Sequence, residues 1–350
     1  MIVSTTAQDA FFRAIPKVEL HCHLFGTIRP ATFKALARAN GASTTDDEID
    51  GFFERGPGKY AGVLKAFRAL DAEVIRRPDD LHRITYEYLS DAAAHNVRYA
   101  EFFWNPTGTV ARSGIPYGRA VDAIVRAIHH AERDHGIVGR LVVSIDREAP
   151  PSSALEVADW MVAHRRDEVV GLGIDYSEVD HPPEGFADAY LAARRAGFRT
   201  TAHAGEFGMP WENVRAAVEV LKVDRVDHGY TIVDAPDYAR ELAERGIVLT
   251  VVPTNSYYLR TLPPKRWALD HPIRQMRELG LRLHPNTDDP TFHHVTPTLA
   301  WQMMATDFDC SINDLRACMH NGLDAAFIDD STRRTWRAEF DAEFDSAAAL

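Results

Sequence analysis

Cysteine is scarce in this chain of 350 residues, which contains only Cys22, Cys310 and Cys318. A sparse, odd-numbered set excludes the dense disulfide framework of small secreted domains and indicates a reducing compartment. The first twenty residues also lack a basic start followed by an apolar stretch, so the sequence predicts no signal peptide. We therefore expect a cytoplasmic protein.

Basic residues are outnumbered, with 39 lysines and arginines against 51 acidic residues and a formal net charge of −12 at pH 7. This balance disfavours nucleic acid and anionic membranes as main partners. No apolar run reaches the length of about 18 residues that a membrane span needs. Because 45% of the residues are apolar, the chain can bury a large core. We expect a small-molecule partner. The sequence pattern does not specify an oligomeric state.

From residue 97 onward, apolar stretches alternate with amphipathic helical patterns. The predicted strands are 97–104, 139–145, 169–174, 198–204, 225–228, 247–252 and 281–286. An earlier strand within 17–24 brings the total to eight strand–helix units, which predicts a (β/α)8 TIM barrel. An open doubly wound sheet is the alternative, but no glycine-rich phosphate turn follows the first strand.

The pattern predicts one domain over residues 1–350, with a helical insertion over 24–96 and C-terminal helices over 298–350. The insertion contains no convincing strand. Long insertions between strands often carry function, so we expect this one to act as a lid. Within it, the acidic segment 43–59, punctuated by glycine and proline, predicts a loop.

Polar residues stand where four of the predicted strands end. His21 and His23 follow the first strand, His203 the fifth, His228 the sixth and Asp288 the eighth. Because alternate residues of a strand share a face, His21 and His23 are expected to point the same way. The C-terminal rim is where barrel enzymes keep their active sites. Three imidazoles and a carboxylate suit a catalytic divalent cation, most often zinc, with Mn, Fe, Co and Ni left open by ligand type.

Two further residues at this rim suit proton transfer. A bound cation lowers the pKa of water to about 7, and a base must then take the proton. His228 is the candidate base. Glu206, three residues after His203, is expected to reach the same cavity, where a raised carboxyl pKa would suit a proton donor.

Four stretches resemble the adenosine deaminase family in their order and spacing. They are PKVELHCHL at 16–24, TAHAGE at 201–206, HGY at 228–230 and NTDDP at 286–290. The likeness runs from residue 16 to the end of the barrel and continues weakly through 320–327. It implies a (β/α)8 barrel with one Zn²⁺ per chain, held by His21, His23, His203 and Asp288.

The resemblance also implies a reaction, the release of ammonia from a 6-aminopurine such as adenosine, adenine or a modified relative. His228 would orient and deprotonate the attacking water, next to the catalytic ligand Asp288. Glu206 would protonate N1 of the ring as hydroxide attacks C6, and Asp289 would hydrogen-bond N7. Gly205, beside Glu206, is expected to lie against the substrate.

Two positions depart from the family pattern for adenosine. Members acting on adenosine usually have an acidic residue two positions after the second histidine, where it holds the ribose, and this chain has Phe25. They also have a glycine after the fourth strand, whereas the aligned residue here is Glu178. We expect Phe25 to favour an apolar or aromatic neighbour and Glu178 to accept a hydrogen bond from an amino or hydroxyl group of the substrate.

Two other functions are weighed against the deaminase. A barrel amidohydrolase acting on a different amino-heterocycle, cyclic amide, lactone or phosphoester is the first, and such enzymes often carry a modified lysine on the fourth strand. Residues 169–176 contain no lysine, which counts against a two-metal site. A non-catalytic binding protein is the second, and the presence of Glu206, His228 and Asp289 disfavours it.

Overall fold

The fold is a parallel eight-stranded sheet with its strands in sequence order from β1 to β8. It is seen in a computed structural model that describes residues 6–54, 62–206, 208–254 and 266–349. The strands are β1 (Lys17–Glu19), β2 (Val97–Trp104), β3 (Val138–Asp146), β4 (Val169–Asp175), β5 (Arg199–Ala204), β6 (Arg225–His228), β7 (Val248–Val251) and β8 (Arg282–Pro285). This order and direction confirm the predicted (β/α)8 barrel.

Helices follow the strands around the outside of the sheet. Between β1 and β2 the helical segments are Phe25–Thr27, Pro30–Ala39, Asp46–Phe53, Val63–Ala69, Leu70–Val74 and Pro78–Ala93. From β2 to β8 they are Pro106–Ser113, Tyr117–His135, Pro151–Ala163, Pro183–Phe186, Ala187–Arg195, Glu212–Ala216, Ala217–Leu221, Tyr230–Asp234, Pro236–Glu244, Trp267–Asp270 and Ile273–Glu278. After β8 come Pro290–His293, Pro297–Thr306, Ile312–Ala325 and Asp330–Ala348. The N-terminal helix Thr6–Ala14 packs against Pro297–Thr306 and Asp330–Ala348. The helical insertion and the C-terminal helices are therefore as predicted.

The first strand is shorter than the sequence predicts, because regular pairing with β2 ends at Glu19. Beyond it the backbone N–H of Leu20 donates to the side chain of Asn286 at 2.8 Å, where a strand would have a backbone partner. The chain then makes two isolated bridges, from Cys22 to Asp288 and from His23 to Phe103. Residues 20–24 thus contact the segment after β8 on one side and the end of β2 on the other, through single contacts rather than continuous strand pairing.

The acidic segment predicted as a loop contains a helix, Asp46–Phe53, so that prediction was wrong for its central part. Thr45 caps the helix, since its hydroxyl accepts from the Glu48 N–H at 3.2 Å and the Glu48 carboxylate accepts from the Thr45 N–H at 2.8 Å. This reciprocal capping box satisfies two free N–H groups, and acidic residues in the first turn suit the helix dipole. Residues 55–59 lie outside the described part of the chain.

The insertion is attached to the barrel rim through aromatic rings. Phe53 stacks on Phe292, with ring centroids 4.4 Å apart and an interplanar angle of 12°. Phe67 meets Tyr176, the residue after β4, edge to face at 6.3 Å. His294 adds a polar contact, because its Nε2 lies 2.8 Å from the carbonyl oxygen of Phe53. Aromatic pairs of this kind add about 0.5–1.5 kcal/mol each beyond the area they bury.

Beneath the rim, Arg225 and Glu101 form an ion pair with both side chains completely buried. The Arg225 guanidinium also donates to the carbonyl oxygens of Leu20 at 3.0 Å and Ala325 at 3.1 Å. The Tyr99 hydroxyl donates to Glu101 at 2.7 Å. The network connects β2 and β6 to the chain just before the first histidines and to the helix Ile312–Ala325.

None of the three cysteines forms a disulfide, and all three are buried. Among the helices in the described ranges, none combines the length and the apolar character required to cross a lipid bilayer.

Replacing Arg225 by methionine tests how much the buried ion pair supports the barrel. Glu101 would lose its cation inside the core, so we expect the free energy of unfolding to fall by about 3–5 kcal/mol, measured by urea denaturation. Arg240→Met is the matched control, because its partner Asp237 is fully exposed and such surface pairs contribute at most about 1 kcal/mol. Equal losses in the two variants would contradict this assignment.

Candidate metal-dependent active site

Three histidines and one aspartate meet at the C-terminal rim of the barrel. Ligand atoms of His21, His23, His203 and Asp288 all lie within 4.8 Å of one another, and all four residues are buried. Nε2 of His23 is 3.1 Å from Nε2 of His203, and Oδ1 of Asp288 is 3.4 Å from His21 Nε2 and 3.3 Å from His23 Nε2. The structure therefore brings together the four residues predicted as metal ligands.

The outer nitrogen of each ligand histidine faces an oxygen acceptor. Nδ1 of His23 is 3.6 Å from Asp175, and Nδ1 of His203 is 3.4 Å from Asp227. Nδ1 of His21 lies 3.1 Å from the Thr250 hydroxyl, which itself donates to Asp227 at 2.7 Å. Since the Thr250 proton is used in that bond, the hydroxyl accepts from His21 and leaves Nε2 of His21 unprotonated.

This arrangement fits a divalent cation. Metal-binding histidines usually donate their second N–H to a carboxylate or other acceptor, which orients the ring and raises its basicity as a ligand. Within the described residues, Nε2 of His21 is buried and has no hydrogen-bond partner. A cation at the centre of the four side chains would satisfy this atom and separate the facing nitrogens of His23 and His203.

The supporting residues were only partly predictable. Asp175 ends β4, where the C-terminal rim is expected to carry site residues, and it contacts His23, while Asn105 donates to its other oxygen at 2.7 Å. The sequence reasoning missed Asp227 and Thr250. Asp227 stands directly before the candidate base His228, but which histidine it contacts depends on how β5 and β6 pair.

His228 and Glu206 lie side by side next to the ligand cluster. Nε2 of His228 is 3.4 Å from Oε2 of Glu206. Potential ligand atoms of Glu206, His228 and Asp288 lie within 4.8 Å of one another. Burial is the main cause that holds the pKa of His228 well below its usual range. The imidazole is therefore neutral at pH 7 and can accept a proton.

The backbone is strained at two of these residues. His228 has φ +67° and Asp288 has φ +61°, in the left-handed region that non-glycine residues rarely adopt. Strain of this kind concentrates at functional sites, where the surrounding structure holds it in place. At Asp288 the backbone is held on both sides, because its N–H donates to His21 O and its carbonyl accepts from the His23 N–H, both at 2.9 Å.

Asp289 lies against Gly26 and carries a perturbed carboxyl group. A Cβ atom on Gly26 would stand 2.0 Å from Oδ1 of Asp289, so only glycine allows the carboxyl to occupy this position. The Thr291 hydroxyl donates to the Gly26 carbonyl at 2.6 Å and fixes the two segments together. Burial, and then the charge of Asp288, raise the pKa of Asp289 well above its usual range. A protonated Asp289 could donate a hydrogen bond to a ring nitrogen.

Aromatic side chains form one wall beside His23. Phe25 is 5% exposed, and with Phe67, Phe103 and Tyr176 it encloses a small cavity of about 10 Å³ next to His23. That volume is about the minimum for one water molecule. Phe25, which was predicted to read the substrate, therefore presents carbon at this wall, while Asn105 and Asp175 are polar residues that also line the cavity.

Glu178 and Gly205, both predicted to contact the substrate, lie close together and contact each other. The Gly205 N–H donates to Oε1 of Glu178 at 2.9 Å, and the Glu206 N–H donates to Oε2 at 2.9 Å. The partners of the Glu178 carboxylate are thus groups of this protein, two backbone N–H groups and the side chain of Asn213, rather than the amino or hydroxyl group of a substrate that the sequence suggested. Substrate contacts of Glu178 and Gly205 stay predictions.

One buried residue near the site was only weakly indicated by the sequence. His293 is 2% exposed, and its ring nitrogens lie within 4.8 Å of carboxylate oxygens of Asp288 and Asp289. It follows the turn at 286–290 in a short helix, Pro290–His293. Its position beside two acidic residues makes it part of the site's polar surroundings.

A parallel barrel with three histidines, an aspartate and a neighbouring His–Glu pair at its C-terminal rim has the architecture of a metal-dependent amidohydrolase. The family model for adenosine deaminase matches residues 16–343. The chain belongs to the adenosine deaminase family, and it is a metal-dependent hydrolytic deaminase.

Several relatives match over nearly their whole length. An adenine deaminase of Rhodopseudomonas palustris is 34% identical over 341 residues, which are 96% of each chain. A crystal structure of an amidohydrolase from Burkholderia ambifaria, with bound Zn, is 61% identical with a TM-score of 0.97 and covers 99% of this chain and 95% of that one. The crystal structure of adenine deaminase from Arthrobacter aurescens is 28% identical with a TM-score of 0.85, covering 96% and 100%.

Removing one ligand tests the metal centre directly. We expect His203→Ala to reduce bound metal from about one equivalent to less than about 0.1, measured by elemental mass spectrometry after dialysis, because fewer ligands remain to hold the ion. His129→Ala, at an exposed side chain, is the control and is expected to keep its metal. Full metal content in the His203→Ala protein would exclude His203 as a ligand.

Adding one methyl group at Gly26 tests the placement of Asp289. We expect Gly26→Ala to displace the Asp289 carboxyl and to lower kcat/KM by about 10–100-fold, which corresponds to the loss of one hydrogen bond to a charged or strongly polarised group. If Asp289 reads N7, wild type would prefer adenine over 7-deazaadenine and the variant would lose that preference. Gly51→Ala, where a Cβ meets no neighbouring atom, is the control. An undiminished preference in Gly26→Ala would contradict this role.

Proposed function

We propose that this protein is a zinc-dependent aminohydrolase that releases ammonia from a free 6-aminopurine base, with adenine as the simplest substrate. One zinc ion per chain would be held by His21, His23, His203 and Asp288. The identity of the metal is supported by the ligand types and by the bound Zn in the 61% identical amidohydrolase.

The observation that carries the choice of substrate is the aromatic wall at Phe25. In relatives that act on adenosine, an acidic side chain at this position holds the ribose, whereas Phe25 offers no hydrogen bond and packs edge to face on Phe67. A sugar hydroxyl placed there would lose its hydrogen bonds to water without replacement, at a cost of about 1–3 kcal/mol per group. A bare purine has no such hydroxyl. The relatives named adenine deaminase support the same choice.

The positions of the side chains support this chemistry. A zinc ion at the four ligands would supply Lewis acidity and would lower the pKa of water to about 7. His228 would accept the proton of the attacking water. Glu206, 3.4 Å from His228, would give a proton to N1 of the ring while C6 is attacked. Asp289, whose pKa is raised by burial and then by the charge of Asp288, would donate to N7 in its protonated form, and ammonia would leave C6.

Three further features belong to this proposal. The absence of lysine from Val169–Asp175 supports a single-metal site rather than a bridged pair. The contacts of Phe53 with Phe292 and of Phe67 with Tyr176 attach the insertion 24–96 to the rim, which supports its role as a lid within one domain that spans 1–350. Three unpaired, buried cysteines suit a cytoplasmic enzyme.

Ammonia release from a panel of purines tests the proposal. We expect purified protein with zinc to act on adenine with a kcat/KM at least about 100-fold above that for adenosine, since the ribose cannot be accommodated at Phe25. N6-methyladenine and AMP complete the panel. Ammonia from adenosine but not adenine would overturn the substrate class, and no ammonia from any member would overturn the reaction.

Glu206→Gln separates the proton donor from the metal centre. The amide cannot deliver a proton, so kcat is expected to fall by about 10²–10⁴-fold while bound metal stays at one equivalent. Glu212→Gln, the same change at an exposed position nearby, is the control and is expected to leave kcat unaltered. Unchanged turnover in Glu206→Gln would remove this residue from the mechanism.

A further inference from the structure

A buried carboxylate side chain of the protein itself holds the turn that carries Glu206. Glu178 is 1% exposed, and its two oxygens accept from the N–H groups of Gly205 and Glu206, both at 2.9 Å. Two successive N–H groups aimed at one anion form the backbone concavity that commonly binds phosphate or other anions. Here the side chain of Glu178 fills it.

The local sequence makes this geometry possible. Gly205 has φ +70°, and a Cβ at this position would lie 2.6 Å from the Thr231 hydroxyl and 2.8 Å from a methyl carbon of Val214. Only glycine therefore allows the chain to turn here and present both N–H groups to Glu178. Only two residues, Ala204 and Gly205, separate the ligand His203 from the proton donor Glu206.

Asn213 adds a third bond to Glu178, and Arg147 holds the backbone next to the turn. Asn213 donates to Oε1 of Glu178 at 2.8 Å. Arg147, with no exposed surface, donates to the carbonyl oxygens of His203 at 3.0 Å and His181 at 3.1 Å. Burial lowers the pKa of Arg147, and the negative charge of Glu178 is the first of the charges that oppose this shift. The cation thus compensates Glu178 while it holds the carbonyl of a ligand histidine.

Most of the acceptor capacity of Glu178 is used by these contacts. A carboxylate offers about four lone-pair directions, and three of them receive Gly205, Glu206 and Asn213. The side chain is also buried beneath the turn that it holds. Its influence on catalysis therefore passes through the backbone of Glu206.

We propose that Glu178 is a positioning residue, which clamps the Gly205 and Glu206 amides so that the Glu206 carboxyl stays beside His228 and the reacting ring. This inference rests on the proposed deaminase function for its kinetic consequence. The clamp itself is a property of the folded chain and can be measured without substrate.

Glu178→Gln tests the clamp, because an amide group can accept from only one of the two N–H groups and directs its own N–H toward the other. We expect kcat on adenine to fall by about 10–100-fold, with KM within about 3-fold of wild type and one equivalent of metal retained. Glu184→Gln, the same change on the exposed segment that follows, is the control and is expected to match wild type. A raised KM with unchanged kcat would instead assign Glu178 to the substrate and overturn the proposal.

A double-mutant cycle with Glu206→Gln distinguishes this role from a general loss of structure. If Glu178 acts through Glu206, Glu178→Gln is expected to lower kcat by less than about 3-fold in the Glu206→Gln background. Losses that multiply across the two variants would contradict the proposal.

Hydrogen exchange separates failure of the clamp from failure of the proposed function. Amide exchange in residues 203–206 is expected to be at least about 10-fold faster in Glu178→Gln than in wild type, whatever the substrate. Unchanged exchange would overturn the clamp, whereas a wild-type protein without ammonia release would overturn only the proposed function. If Glu178→Gln does not fold, Asn213→Ala removes one of the three bonds, and it is expected to give a smaller loss of kcat with faster exchange in the same segment. No change in either quantity would again overturn the clamp.

Discussion

The site depends on how the ends of the barrel are joined at its C-terminal rim. The backbone of Asp288 donates to His21 and accepts from His23, so one residue after the last strand pairs with both histidines after the first. The same three residues supply ligand atoms to the predicted metal centre. Because closure of the sheet and assembly of the ligands use one set of contacts, the ligands are positioned by the fold itself. Asp288 has a positive φ, and this backbone strain accompanies its two roles, pairing the ends of the sheet and supplying a ligand atom.

Burial then decides what each polar group can do. Polar side chains in a dry interior require partners, and those around the ligands form short chains such as His21 to Thr250 to Asp227. Neighbouring residues are shifted in different ways by this environment. Burial holds the pKa of His228 well below its usual range, while burial and then the charge of Asp288 raise the pKa of Asp289 well above its usual range. Titratable groups whose environments push their pKa values apart are typical of sites that carry out acid–base chemistry.

Much of the barrel was predictable because its strands are buried on both faces. The predicted bounds 97–104 agree with the structure, and 247–252 differs from it by one residue at each end, since runs of apolar and β-branched residues are distinctive in parallel strands. The helix Asp46–Phe53 was missed because its acidic residues indicate solvent exposure, while its stability comes from a capping box and the packing of Phe53 on Phe292. The length of β1 was overestimated for a related reason. Its apolar pattern continues past Glu19, but its pairing partners beyond that point are single contacts with distant residues.

The sequence alone determined the strand–helix alternation, the histidines and acids at the strand ends, and the family likeness, because these depend on residue type and on spacing along the chain. Only the tertiary structure decided that Asp227 and Thr250 orient the ligand histidines, that Gly26 makes room for Asp289, and that Glu178 binds the backbone of Gly205 and Glu206. Each of these contacts joins different segments across the rim. A change in strand register of one residue would turn such side chains to the opposite face, so their partners exist only once the barrel has closed.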